Sequence, residues 1–261
     1  MDFDLTIQIV NYKTKIFLEN CLGDLINDLK DSSINFQIKI LDNFSGDNLS
    51  DLENRYLSEP RIRFYYAPEN KGFGAGHNFL VTQSKSKYIL ILNPDIRFVE
   101  KDSILRLLNF IKKDQSIKVV GPQLVNIKNK IQKWDHGELF GLWAYIASKL
   151  GRSFYKKREK SIEVSWVSGA CFLVEREIFE RVGGFDQRFF LYKEEEDFCL
   201  RIRQVGGKIF YNPLIKILHF NSVVARKNVY MQESQEYFTE KHIKNWLFYH
   251  LSKILNKLKP F

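Results

Sequence analysis

The sequence predicts an α/β fold, a mostly parallel sheet flanked by helices, on two observations. Short apolar runs alternate with helical stretches through the first hundred residues, as in strands that are covered on both faces by crossover helices. Polar turns carrying Asn11, Asp42 and the Asn93-Pro94-Asp95 triplet follow three of these runs, and open sheets of this kind bind ligands at the carboxyl ends of their strands.

Taken in order, Leu5 to Val10 reads as the first strand. Thr14 is placed to cap a helix in which Phe17, Cys21, Leu25 and Leu29 recur at a helical period. Ile38 to Leu41 is a second strand, ending in the polar turn Asp42 to Asp47, and Arg61 to Ala67 is a third. A glycine-rich loop, Asn70 to Asn78, leads into a helix from near Gly76 toward Ser84. Tyr88 to Leu92 is a wholly apolar fourth strand, followed by a helix over Ser103 to Lys112. Periodicity weakens from Gly121 to Lys160, which reads as a variable excursion, helical from about Leu139 to Leu150. Val164 to Val174 is then a strand, and a helix from Glu175 to Val182 stops at Gly183-Gly184. Lys208 to Tyr211 and Lys216 to His219 read as short closing strands. The pattern gives one domain over 1–225, with halves meeting near residue 120, and a tail over 226–261.

A chain of 261 residues, 44% hydrophobic and 15% aromatic, has the means to bury a large core. Its three cysteines, Cys21, Cys171 and Cys199, are scattered without CxxC spacing, which fits a reduced, cytoplasmic setting and argues against a zinc or redox motif. Asp2 and Asp4 precede the first apolar run, the wrong charge for a signal peptide. No run approaches the roughly 18 apolar residues of a membrane span. The net charge of +9 gathers at Lys149 to Lys160 and in the tail at Lys241, Lys244, Lys253, Lys257 and Lys259. Such patches attract phosphate-bearing partners, yet no nucleic-acid reading motif accompanies them, so a nucleic-acid partner is not expected. In the tail, Ile243, Leu247, Leu251, Ile254 and Leu258 share one helical face beside Trp246 and Phe248. A basic amphipathic helix of that kind lies on anionic membrane surfaces; a packed surface helix or a dimer contact has the same pattern.

Four motifs carry candidate chemistry. Glu194, Glu195, Glu196 and Asp197 form a run of four acids behind an aromatic stretch. Crowded carboxylates raise one another's pKa and poise one as a general base, while a solvated helix start also gathers acids. The loop Asn70-Lys71-Gly72-Phe73-Gly74-Ala75-Gly76-His77-Asn78 allows close backbone approach to a ligand, or simply a tight turn. It is not a dinucleotide fingerprint, because its spacing is GxGxG and it follows the third strand. Asp95, at a strand end, is either a turn former or a ligand for a hard divalent cation. His219 is a plausible second ligand from across the cleft, or a structural histidine. No GxSxG elbow occurs, so a serine nucleophile is not supported.

These blocks in this order, from Ile9-Val10-Asn11-Tyr12 through Leu41 to Asp47, Asn70 to Asn78, Leu92 to Asp95, Gly169-Ala170 and Gly183 to Arg201, resemble family 2 glycosyltransferases, especially the bacterial rhamnosyltransferase-like branch. The resemblance covers about residues 5 to 225. It implies the GT-A fold, a Rossmann-like sheet, with a nucleotide-sugar half over about 1–120 and an acceptor half over about 121–225. It also implies a nucleotide-diphosphate sugar donor and inverting transfer to a lipid-linked saccharide acceptor. On that pattern Asp42 meets the nucleobase, and Asn11, Asn43, Ser45, Asn70, Gly72, Phe73, Asn78 and Asn93 shape the nucleotide-sugar pocket. Asp95, with His219, holds a divalent metal, Mg2+ or Mn2+, Asn93 standing where the family motif has its first aspartate. Glu194-Glu195 matches the family's Glu-Asp pair, whose second member is the base, here one methylene longer than aspartate. Trp166, Gly169 and Glu194 fall on the acceptor side, and Asp197 orients the following helix with Arg201 as its partner. The implied setting is surface polysaccharide synthesis, peripheral on the inner face of the cytoplasmic membrane. The branch implies rhamnose from dTDP-rhamnose as the donor; a transferase of another nucleotide sugar such as a UDP-hexose, or a catalytically silent nucleotide-sugar-binding protein, is the rival reading.

Overall fold

The structure, a computed structural model, describes residues 3–138, 157–220 and 227–242. The expected strands are present as β1 (Phe3–Asn11), β2 (Phe36–Asp42), β3 (Ile62–Tyr66) and β4 (Ser86–Leu92), interleaved with helices α1 (Lys15–Leu29), α2 (Ser50–Arg55) and α3 (Phe73–Thr82). There follow β5 (Ile96–Phe98), α4 (Ser103–Ile111), β6 (Ile117–Val125), β7 (His136–Gly137), β8 (Ile162–Glu163), β9 (Trp166–Val167) and β10 (Cys171–Glu175). Helix α5 (Arg176–Arg181), α6 (Glu194–Gln204), β11 (Lys208–His219) and α7 (Lys227–His242) complete the described elements.

One sheet runs β3-β2-β1-β4-β10-β6-β11-β5, with β8 beside β11. Strands β1, β2, β3 and β4 pair in parallel. Strand β10 is antiparallel to both β4 and β6, and β11 is parallel to β6, so six strands share one direction. Their carboxyl ends lie along one edge, where Asn11, Asp42 and Tyr66 fall in register.

The alternation of β1 and β4 sorts the core into two layers. Leu5, Ile7, Ile9, Leu90 and Leu92 pack with Leu18, Leu22, Leu25 and Leu107 on one face, while Ile89, Ile91, Phe172, Phe179, Phe185 and Phe198 form the other. Each such side chain, fully buried, contributes roughly 1.5–3 kcal/mol. Asp28 of α1 reaches across to cap α4, accepting from the amides of Ser103 and Ile104 at 3.1 Å each, which joins two helices on the first face.

Several boundaries differ from the sequence reading, each for a local reason. Thr14 makes no side-chain cap, because its hydroxyl donates to Asn11 Oδ1 at 2.7 Å. Helix α3 begins at Phe73 rather than Gly76, its start set by Gly72 at φ +89°. Gly121 to Val125 belong to β6 and not to an excursion. The expected strand Val164 to Val174 is broken, since β9 leaves to pair with β7. The two closing strands are one strand, β11, with a register shift between Asn212 and Lys216. The helix expected over Leu139 to Leu150 and the amphipathic tail from Ile243 on lie outside the described residues. Helix α7 starts just past residue 225 and docks on the domain: Ser234 donates to the Leu191 carbonyl at 2.8 Å and Tyr237 to Asp186 at 2.7 Å.

Candidate active site

At the ends of β1 and β2 a buried polar knot forms because side chains that face one another in register have no water to turn to. Asn11, with no exposed surface, donates through Nδ2 to Asp42 Oδ1 at 2.7 Å and to Asp47 Oδ2 at 3.1 Å. Ser45 adds its hydroxyl to Asp42 Oδ1 and its amide to Asp42 Oδ2. Asn11 and Ser45 thus hold Asp42 rather than facing a cleft themselves. Phe44, between them, sits at φ +59° with its ring exposed.

Asn43 ties this knot to the glycine loop, donating to Asn70 Oδ1 at 2.9 Å and to the Gly72 carbonyl at 3.1 Å. The loop's glycines meet protein, not open space. A Cβ on Gly72 would land on the Phe190 carbonyl oxygen, and one on Gly74 would come within 2.8 Å of Phe185. On the side where a Cβ would stand, Gly72 admits the Phe190 backbone, whose carbonyl accepts from the Phe73 amide at 3.1 Å. Both amide atoms of Asn78 bind the Phe185 backbone, at 2.8 and 2.9 Å. His77 is wholly buried, and burial pushes its pKa down to about 3, so it serves as a neutral packing residue under Phe73. The loop is a clamp joining the strand ends to the segment 185–190.

Strand β4 delivers Asn93-Pro94-Asp95, and the end of β11 delivers His219. Asp95 and His219 are both nearly buried, with His219 Nε2 3.4 Å from Asp95 Oδ1. Gln132 decides what that nitrogen can do. Its Nε2 donates to the His219 carbonyl at 2.7 Å, which turns its Oε1 toward His219 Nδ1 at 2.9 Å. Nδ1 is engaged by Gln132, and Nε2 is the nitrogen left to face the Asp95 carboxylate. An imidazole nitrogen beside a carboxylate, with the other ring nitrogen held from behind, is an arrangement that suits a metal-ligating histidine. The pair fits a divalent metal as two of its ligands. Among the described residues no group of three or more His, Cys, Asp or Glu gathers to hold a metal by itself, so a metal there needs ligands from elsewhere.

The acidic run opens α6. Tyr192 and Lys193, at φ +71° and +69°, precede Glu194; two successive left-handed residues without glycine cost about 1–2 kcal/mol each, and such strain collects at functional sites. Glu194 is nearly buried, and its Oε2 has no partner. Burial, then the charge of Glu195, raises its pKa well above the ordinary carboxylate range. Burial and the Glu196 charge push Glu195 up to about 7. The reading of a merely solvated helix start does not hold. Asp197 is fully buried; Arg201, one turn on, donates to it at 2.9 Å, and Lys241 and His242 of α7 sit at 2.6 and 2.7 Å.

The two chemistries meet at Gly169–Ala170. The Ala170 carbonyl accepts from the Asn93 amide at 2.9 Å, and a Cβ on Gly169 would lie 3.3 Å from the Phe73 ring and 3.9 Å from Glu195 Cβ. The Asp95 loop, Phe73 and Glu195 therefore border one small region. Trp166 contributes less than expected to an open acceptor face, because its indole packs on Gly137. Gln132 was missed by sequence reasoning, and nothing flags it, since it lies 87 residues from the histidine it orients. The three cysteines are free and buried, and burial raises their pKa values, Cys199 to about 12, as expected for inert thiols.

The family described as Glycosyl transferase family 2 matches residues 6–183. The Escherichia coli rhamnosyltransferase WbbL is 32% identical over 164 residues, covering 57% of this chain and 61% of WbbL. An N-acetylglucosaminyl-diphospho-decaprenol L-rhamnosyltransferase of Mycobacterium tuberculosis is 26% identical over 184 residues, 61% of this chain and 59% of its own. The chain thus spans about 60% of the length of these two relatives. Among solved structures, the Pyrobaculum calidifontis mannosyltransferase PcManGT, in complex with GDP-Man and Mn2+, aligns over 98% of this chain and 70% of its own with a TM-score of 0.67 at 14% identity. That likeness establishes the GT-A fold expected from the sequence.

Proposed function

The chain belongs to the family 2 glycosyl transferases, and from that premise we propose that it is an inverting transferase moving rhamnose from dTDP-rhamnose to a lipid-linked saccharide in surface polysaccharide synthesis. The observation that supports the chemistry is the segment Gly169–Ala170, which bonds the start of the Asn93-Pro94-Asp95 loop through the Ala170 carbonyl and lies beside Glu195 at Gly169. The rhamnosyl donor rests on the activities of the two relatives, and the lipid-diphosphate acceptor on that of the mycobacterial one.

In this reading Asp42 binds the nucleobase, pre-set by Asn11 and Ser45 so that little reorganisation accompanies binding. Glu195 accepts the proton of the acceptor hydroxyl as that oxygen bonds to the anomeric carbon; the bond to the diphosphate breaks, and the diphosphate departs with the electron pair. A carboxyl pushed up to about 7 by burial and the Glu196 charge is matched to that task, being more basic than an ordinary glutamate. Burial and the Glu195 charge both oppose ionisation of Glu194 beside it, which disfavours a second charge in the site. A divalent metal held by Asp95 and His219 would supply positive charge against the leaving diphosphate.

The test is a donor screen. Incubated with a panel of nucleotide sugars and Mg2+ or Mn2+, the protein should be stabilised most by dTDP-rhamnose and hydrolyse it slowly. Preference for a UDP-hexose would replace the sugar, and binding without hydrolysis of any donor would leave a silent binding protein. Among the described residues no helix is long and apolar enough to cross a membrane. Peripheral attachment through the basic residues after 242 is proposed from their sequence alone, and a chain ending at His242 that still sediments with anionic vesicles would end that idea.

A further inference from the structure

We propose that Trp134 is the stacking platform for the acceptor saccharide, a role that rests on the transferase reading above. Residues 132 to 135 form a strap pinned at both ends. At one end Gln132 is bonded twice to His219. At the other, the Asp135 carbonyl accepts from the Ser168 amide at 2.9 Å, and the Asp135 carboxylate is held from inside by the Tyr211 hydroxyl at 3.0 Å and the Leu124 amide at 3.2 Å. Ser168 precedes Gly169, which abuts Glu195. The strap therefore runs from His219 to Ser168, one residue before Gly169.

Lys133 and Trp134 are the side chains this strap leaves outside, and Trp134 is the aromatic one. It is 53% exposed and makes no hydrogen bond or ring contact with the described residues. Two residues of chain reach at most about 7 Å, so its Cα stays within that distance of Gln132 and one residue from Asp135. A single exposed aromatic is ordinary by itself; the location is what matters. In the transferase reading the attacking hydroxyl lies against Glu195, next to Gly169 and the Ser168 anchor of the strap, so the sugar carrying it comes close to that end of the strap. Pyranose rings present an apolar face of C–H groups, and an indole is the largest flat apolar surface a protein can offer to it. Asp135, buried at the strap's far end, keeps the platform from swinging, which lowers the ordering cost of binding. Trp166, the aromatic expected on the acceptor side, is packed on Gly137 instead.

The test uses the full chain. Trp134→Ala should raise the KM for a short-chain lipid-diphospho-N-acetylglucosamine acceptor by about five- to tenfold, the loss of one aromatic contact, and leave the KM for dTDP-rhamnose hydrolysis by water unchanged. Trp134→Phe should recover most of the loss. In protein labelled with 5-fluorotryptophan, the 19F resonance that disappears in Trp134→Phe should move on titration with methyl β-N-acetylglucosaminide. An unchanged acceptor KM, a raised donor KM in its place, or a resonance that stays still at saturating saccharide overturns the proposal. Absence of donor hydrolysis in the unaltered protein would instead sink the transferase reading, and the fluorine titration would still decide whether Trp134 meets a sugar.

Discussion

Glu195→Gln should yield a protein that is more stable and almost inactive, and both halves follow from one environment. In the folded state the Glu195 carboxyl titrates near 7 because burial and the Glu196 charge oppose ionisation, against about 4.3 in an unfolded chain. A carboxyl whose pKa is raised by folding gives stability that is complete below the unfolded value and lost as pH climbs through the folded one. At pH 8 that loss approaches about 3 kcal/mol by linkage, and about half of it once the side chain's partial exposure is counted. Glutamine has the same shape and no charge to confine, so the variant should melt about 3–6 °C higher than the parent at pH 8, with the difference vanishing near pH 4.5. Transfer should fall about 100- to 10,000-fold, the usual contribution of a general base. In the unaltered protein the rate should rise about tenfold between pH 6 and pH 8, following ionisation of a group near 7. The assay is transfer from dTDP-rhamnose to the lipid-diphospho acceptor beside melting curves at each pH. Near-parental turnover would reject Glu195 as the base, and a melting difference independent of pH would reject the burial argument behind its pKa.

Gln132→Leu should loosen the apparent Mn2+ affinity of the donor complex about tenfold or more through loss of His219 orientation, and His219→Ala at least as much; unchanged Mn2+ titrations for both would remove His219 as a ligand. Gly72→Ala should cost about 3 kcal/mol or more in urea unfolding, because the new Cβ meets the Phe190 carbonyl at a positive φ; a loss under about 1 kcal/mol would mean that the clamp yields. Asp186→Asn tests the docking of α7. Burial works to raise the Asp186 pKa, but hydrogen bonds from Lys241 and Tyr237 outweigh it and hold it at about 2. A depressed carboxylate gives stability that is present above its unfolded pKa and lost as pH falls toward the folded value, so the variant should be about 2 kcal/mol less stable at pH 7, with the gap closing between about pH 4 and pH 2; a gap that persists at pH 2 would contradict the ion-pair account.

The sequence by itself determined the α/β class, the first four strands and the residues that the strand ends bring together. Those signals are local: apolar runs in β1, β2 and β4 set the layers, and Asn11, Asp42 and Asp95 follow directly from where the runs stop. Glu194 and Glu195 were legible as a charge cluster. What they do was decided by tertiary structure, since only the packing around α6 buries them enough to move their pKa values. The same holds for the glycine loop, where sequence offers a flexible turn but the fold fills each vacant Cβ position with Phe190, Phe185 or Val10. Gln132 behind His219, α7 gripping Asp186 and Asp197, and the strap that carries Trp134 join residues far apart in the chain. Their partners are chosen by the closure of the sheet, and no periodicity or spacing within a single segment encodes that choice.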